Sequence, residues 1–471
     1  MRMRVTHIAA APMLLWLTAG PAAAADGLDG RSMGLAWAIP FAGLLLSIAI
    51  LPLAAGRFWH HHRGKVAAAW AGLALLPIAL AAGPGAAAQA VVHTALAEYI
   101  PFILLLLALF TVAGGIVIRG NLHGAPATNT LLLAIGAGLA SIIGTTGAAM
   151  IMIRPVIRAN DDRRHNVHVI VFFIFIVANA GGALSPLGDP PLFLGFLRGV
   201  DFFWPTVHLF WPTAIIVGAL LAAFFALDSL IYAREGHLRR DPTPDRAISV
   251  AGGINFALIP AIIGVILLSA ALDWGTLHIY GTDVAVTALA RDGAFVAIIL
   301  LSVALTARGN RSDNSFSWEP MREVAELFAG IFITIIPVLA MLQAGTDGAF
   351  APLVALVRGP DGAPDNLAYF WITGGLSSVL DNAPTYLVFF ELAGGDPAQL
   401  MAGGATTLAA ISAGAVFMGA NTYIGNAPNF MVYAIARDQG VKMPGFFGYM
   451  LWSGAILLPL FAAVSWLFFA G

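Results

Sequence analysis

The sequence predicts an all-α polytopic membrane protein with about ten transmembrane helices and two re-entrant hairpins, arranged in two inverted-topology repeats. Three observations predict it. Of 471 residues, 59% are hydrophobic and only 10% charged, where a soluble domain carries about 25% charged residues. Apolar stretches long enough to cross about 30 Å of hydrocarbon recur along the chain. Two polar breaks in those stretches recur in the same register, 237 residues apart.

Composition also excludes function classes. The 51 glycines and 27 prolines suit broken membrane helices that line a cavity. A formal net charge of -2 provides no basic field for nucleic acid. The absence of cysteine removes disulfides, thiolate metal sites and thiol redox chemistry. No nucleophile and base converge at a surface, so the chain does not read as an enzyme, and no resident cofactor is expected.

In chain order, residues 1–25 read as a signal peptide. Arg2 and Arg4 precede an apolar run from Ile8 to Leu17, and Pro21 and Ala22 to Ala25 prepare cleavage before Asp26. An uncleaved first helix is the alternative. Residues 26–96 hold N-terminal spans near 34–54 and 66–82, with His60, His61 and His62 in a solvated cytoplasmic loop between them. Residues 97–231 form the first repeat: a span at 97–118, a hairpin at 128–157 split by Gly144-Thr145-Thr146-Gly147, a broken span at 166–197 and a span at 206–231. Connecting spans near 254–272 and 293–307 occupy 232–324. Residues 325–471 form the second repeat: a span at 325–343, a hairpin at 367–393 split at Asp381-Asn382-Ala383-Pro384, a broken span at 400–436 and a last span at 444–470. Each hairpin half is read as ten to fifteen residues, too short to cross.

Charge supports this threading. With the mature N-terminus outside, Arg57, Arg63, Lys65, Arg119, Arg154, Arg158, Arg163, Arg164, Arg234, Arg239, Arg240, Arg246, Arg308, Arg311, Arg322, Arg437 and Lys442 fall in the cytoplasm, against Arg31, Arg198, Arg291 and Arg358 outside. That bias orients membrane proteins, and it arises only if both hairpins return to the side they entered from. The expected location is a bacterial-type inner (plasma) membrane.

The repeat is read from two ungapped matches. Ser141 to Ala148 aligns with Ser378 to Thr385, and Ser185 to Pro191 aligns with Thr422 to Pro428. Five spans separate the repeat starts, and an odd number inverts the second repeat. Inverted repeats with broken helices hold substrate and coupling ions near the midplane.

The breaks supply the candidate site. Freed carbonyl and side-chain oxygens suit a hard cation such as sodium, and helix N-termini favour anions. Thr145 and Thr146 stand at the first tip, and Asp381, Asn382 and Thr385 at the second. Asn179, Ser185 and Asp189 punctuate the first broken span, and Asn421, Thr422, Asn426 and Asn429 the second. A carboxylate at membrane depth is functional by default, so Asp189 and Asp381 lead, and Asn179, Asp189, Asp381 and Asn382 are the sodium candidates. Glu98, Asp228 and Glu391 lie near span or hairpin ends and read as interfacial; Arg154 and Arg158 read as anchors of the first hairpin's base.

The stretch Asn179 to Asp189 resembles the NAGGAWTPIGD signature of NhaD-type sodium/proton antiporters, differing at Leu184, Ser185 and Leu187. The whole layout is similar to the ion-transporter superfamily that also contains citrate-type and dicarboxylate carriers. The resemblance implies inverted repeats with two hairpins, a homodimer, an elevator-like motion, and site roles for Asn179, Ser185 and Asp189. It departs at Pro190-Pro191, where NhaD-type chains continue Val-Thr, and at tips that lack the Ser-Asn-Thr of dicarboxylate carriers. The leading expectation is sodium/proton antiport; the alternative is sodium- or proton-coupled import of citrate or a dicarboxylate. The expected partners are the lipid bilayer, sodium ions and protons, and in the alternative a small carboxylate.

Overall fold

The computed structural model describes residues 28–120, 122–236 and 247–470. The signal-peptide expectation and most of the 234–249 loop lie outside them. A backbone in hydrocarbon must satisfy its own amides and carbonyls, so each crossing is helical. Among the described residues nine helices are long and apolar enough to cross: Leu35–Ala54, Gly56–Ala82, Pro84–Ala113, Pro126–Ile143, Phe210–Glu235, Gly253–Ala271, Val286–Leu305, Glu319–Gln343 and Phe446–Phe469. Eight of these are plain spans. The ninth is the outbound arm of the first hairpin, and the two broken spans complete the expected ten.

Two groups of helices result. In one, Gly56–Ala82 packs on Ile39–Ala54 and Glu319–Thr334, while Gly253–Ala271 and Val286–Leu305 pack on Ile100–Ala113. In the other, the two hairpins and two broken spans pack together and are flanked by Phe210–Glu235 and Phe446–Phe469. The centre of this second group is Val167–Ile176 and Ala405–Met418, most of whose side chains are fully buried. Flanking helices instead carry bare apolar faces, such as Leu451 and Trp466, as lipid contact requires.

The repeat is visible in hydrogen bonds as well as in letters. Ser141 Oγ donates to the carbonyl of Gly181 at 2.5 Å, and its counterpart Ser378 Oγ donates to that of Met418 at 3.1 Å. Ser185 Oγ donates to the carbonyl of Ser141, and Thr422 Oγ1 to that of Ser378 at 2.6 Å. A Cβ on Gly188 would stand 2.0 Å from the carbonyl oxygen of Gly182, and one on Gly425 2.4 Å from that of Gly419. Only glycine allows two strands of backbone to approach that closely.

Several expectations need correction. The first hairpin spans Pro126–Ile143 and Thr145–Ala159, so its outbound arm has 18 residues, not ten to fifteen. It is still a hairpin: Asn129 near its start and Asn160 just past its end exchange side-chain hydrogen bonds at 2.9 and 2.8 Å. The second span begins at Gly56, not 66, and carries His60, His61 and His62 on helix; His61 Nδ1 and His62 Nδ1 donate to the carbonyls of Arg57 and Phe58 one turn back. The helix outlasts the apolar run because buried Arg63 draws in Glu319, Glu323 and Glu326. The third span begins at Pro84, not 97, and passes through a π-turn at Ala95–Tyr99. Two short antiparallel pairs, Val117–Arg119 with Ser249–Ala251 and Thr276–Ile279 with Thr282–Ala285, carried no sequence expectation.

Candidate functional site

The first tip turns at Gly144, whose φ of 82° disfavours any side chain. The next residue, Thr145, starts the return arm and aims its hydroxyl inward. The first broken span unwinds between Val167–Ile176 and Pro190–Leu197, because Asn179, two glycines and Pro190-Pro191 cannot sustain a ladder of amides. Asp189 ends that unwound stretch and is 1% exposed.

Asp189 is where the two tips meet. Thr145 Oγ1 donates to its Oδ1 at 3.1 Å, and Asn382 Nδ2 donates to its Oδ2 at 2.5 Å. Thr145 and Asn382 are repeat counterparts, so one carboxylate is clasped by the same position of both hairpins. The counterpart of Asp189 is the neutral Asn426. Asp381 caps its own helix, accepting from the Ala383 amide at 3.0 Å.

A cavity of about 70 Å³ opens beside this contact, lined by Gly144, Thr145, Thr146, Gly188, Asp381, Asn382 and Asn426. Four helices begin on its wall: Thr145–Ala159, Pro190–Leu197, Asn382–Leu392 and Ala427–Asp438. Their positive dipole ends face one space, while the first-turn amides of Thr145, Ala383 and Asn429 are engaged by the Gly188 carbonyl, Asp381 and Asn426. The opposite wall comes from the first helix group, through Leu106, Phe110, Met321 and Phe328. No Arg or Lys is among the described residues lining it.

Behind the cavity lies an asparagine network. Asn426 Nδ2 donates to Asn179 Oδ1 at 2.8 Å, and Asn179 Nδ2 to Asn429 Oδ1 at 2.7 Å. Asn429 Nδ2 donates to the carbonyls of Gly419 and Thr422 at 2.8 and 3.0 Å. Asn179 thus supports the wall from behind. Asn429 is a hub that the sequence offered only alongside Asn421, Thr422 and Asn426; its signal was the three-residue spacing that lets Asn426 cap the helix through the Asn429 amide.

Of the predicted residues, the structure brings Thr145, Thr146, Asp381, Asn382 and Asn426 to the cavity, with Asp189 buried just behind its wall against Thr145 and Asn382. Ser185 and Thr422 instead brace each tip to its broken span. Thr385 donates to the Asp381 carbonyl inside its own helix at 2.9 Å, and Asn421 bonds Ser378 Oγ at 2.9 Å. These four are supports and do not line the cavity.

The acids read as interfacial are paired. Arg198 joins Glu98 at 2.7 Å and also Glu391, tying the π-turn of the first helix group to the second hairpin. Asp228 is fully buried and holds Arg163 at 2.5 Å, His168 at 2.8 Å and Asn129 at 2.9 Å.

A helical membrane protein whose broken segments and paired tips enclose a cavity fits the class of secondary transporters. The family described as "Putative citrate transport" matches residues 30–469, and the chain belongs to that family, one of the citrate-type carriers of the ion-transporter superfamily. It is a multi-pass membrane protein. No curated protein matches it.

Proposed function

We propose that the chain is a cation-coupled carrier of a citrate-like carboxylate. The observation that carries this reading is the convergence of four helix N-termini on one cavity, a surround that attracts an anion without a cationic side chain. Asp189 supplies the coupling. Its carboxylate would repel an anionic substrate unless a sodium ion or proton neutralises it, so anion binding and cation binding favour one another. Thr145 and Asn382 hold the carboxylate in place, and the Asp381 carboxyl lies on the wall of the same cavity. Family membership supports the carboxylate.

Sodium/proton antiport is the second reading. It is supported by two carboxylates, Asp381 on the cavity wall and Asp189 buried behind it, with no arginine or lysine among the described residues lining that wall. Purified protein in proteoliposomes separates the two. Uptake of radiolabelled citrate driven by an inward sodium or proton gradient is the expected result. Sodium-driven proton flux with no uptake of citrate or succinate would replace the carrier reading by antiport.

A further inference from the structure

The return arm of the first hairpin leads away from the cavity along one face. Thr146, Met150, Arg154 and Arg158 follow at four-residue spacing on Thr145–Ala159. Thr146 lines the cavity. Met150 packs with Phe110 and Met321 in a small cluster apart from the main core, and Phe110 and Met321 also line the cavity from its other side. This cluster closes the cavity toward the end of the molecule where the hairpin began.

Beyond the cluster the side chains are basic. Arg154 is half-buried and has no hydrogen-bond or ion-pair partner among the described residues. Its neighbour in charge is Arg158, which donates to the Ile118 carbonyl at 2.7 Å. Arg311 lies over the Phe316 ring at 4.9 Å, and Phe316 packs on Phe110 at 5.1 Å, so a further guanidinium sits at the back of the same plug. The acids of this edge, Asp161 and Asp313, lie by Arg158, and Asp313 is engaged with Arg119 at 2.7 Å. Arg154 is left beside the positive charge of Arg158, with no counter-ion among the described residues. Holding a half-buried guanidinium in that position costs stability unless an anion joins it.

We propose that Arg154 is an outer binding station for the transported carboxylate, separated from the central cavity by a swinging plug of Phe110, Met150 and Met321. The guanidinium fork matches a carboxylate, and the two methionines have the rotamer freedom to let it pass. This inference rests on the carboxylate reading above.

The test compares wild type, Arg154→Gln and Arg154→Lys for radiolabelled citrate transport in right-side-out and inside-out membrane vesicles, after detergent chromatography has established equal folding. Arg154→Gln is expected to raise the KM for citrate about tenfold from one face only, the scale of a lost charge-assisted contact, with Arg154→Lys intermediate. Added salt is expected to raise the wild-type KM at that face toward the mutant value. Equal KM values for wild type and Arg154→Gln at both faces would overturn the outer station and leave the carrier reading intact. Absence of citrate transport by wild type at either face would overturn both.

Discussion

Asp189 is a carboxylate whose two oxygens are each taken by a neutral donor, one from each hairpin. Neutral donors hold its position without cancelling its charge, and the charge is what a coupling ion must meet. Asp189→Asn therefore keeps the shape and removes the function: we expect gradient-driven transport to fall to background in proteoliposomes, with normal yield and chromatographic profile. Gradient-driven transport at wild-type rate would remove Asp189 from the mechanism. Asn429 makes the opposite case. Its side chain satisfies two buried carbonyls and Asn179 at once, and loss of a buried hydrogen-bond partner costs about 1–3 kcal/mol. Asn429→Ala should lower the unfolding temperature measured in detergent, while Asn421→Ala, at the margin of the same network, should not. The sequence revealed Asp189 because an acid at membrane depth is expensive. It did not rank Asn429 above its neighbours, since five asparagines at the breaks look alike until the fold decides which one faces the carbonyls.

At the scale of the element, the tip of the first hairpin depends on a backbone conformation that side chains avoid. Gly144 has φ 82°, and a Cβ there would also stand 3.2 Å from the Leu187 carbonyl oxygen. Strain of this kind costs about 1–3 kcal/mol. Gly144→Ala should withdraw Thr145 from Asp189 and reduce transport more than it reduces thermal stability; full activity in the variant would mean that the tip tolerates displacement. The hairpins and breaks were legible because Gly, Pro, Asn and Asp interrupt apolar runs and an odd number of such runs separates the repeats. The ends of the helices were less legible. Apolar content marks where hydrocarbon ends, but the helix from Gly56 continues beyond it under the pull of one arginine on three glutamates far along the chain.

At the scale of the molecule, the two helix groups are joined by Arg198, whose partners lie 100 and 193 residues away. Pairs at that separation follow from packing alone, so Glu98 and Glu391 looked like isolated surface acids in the sequence. Under the elevator-like motion that the resemblance implies, a bridge between the two groups would act as a brake on one state. Arg198→Gln should release it, raising exposure of a single cysteine introduced at Thr146 to a membrane-impermeant thiol reagent in this natively cysteine-free chain; unchanged labelling would make the bridge purely structural. The clasp of Asp189 by Thr145 and Asn382 has a further consequence. Matching positions of the two halves carry an acid in one, Asp189, and its neutral isostere in the other, Asn426. The acid is therefore movable in principle: Asp189→Asn combined with Asn426→Asp would carry it to the mirror position, on the cavity wall, and a partly working double variant would trace the asymmetry of the site to the choice of residue and not to the geometry around it.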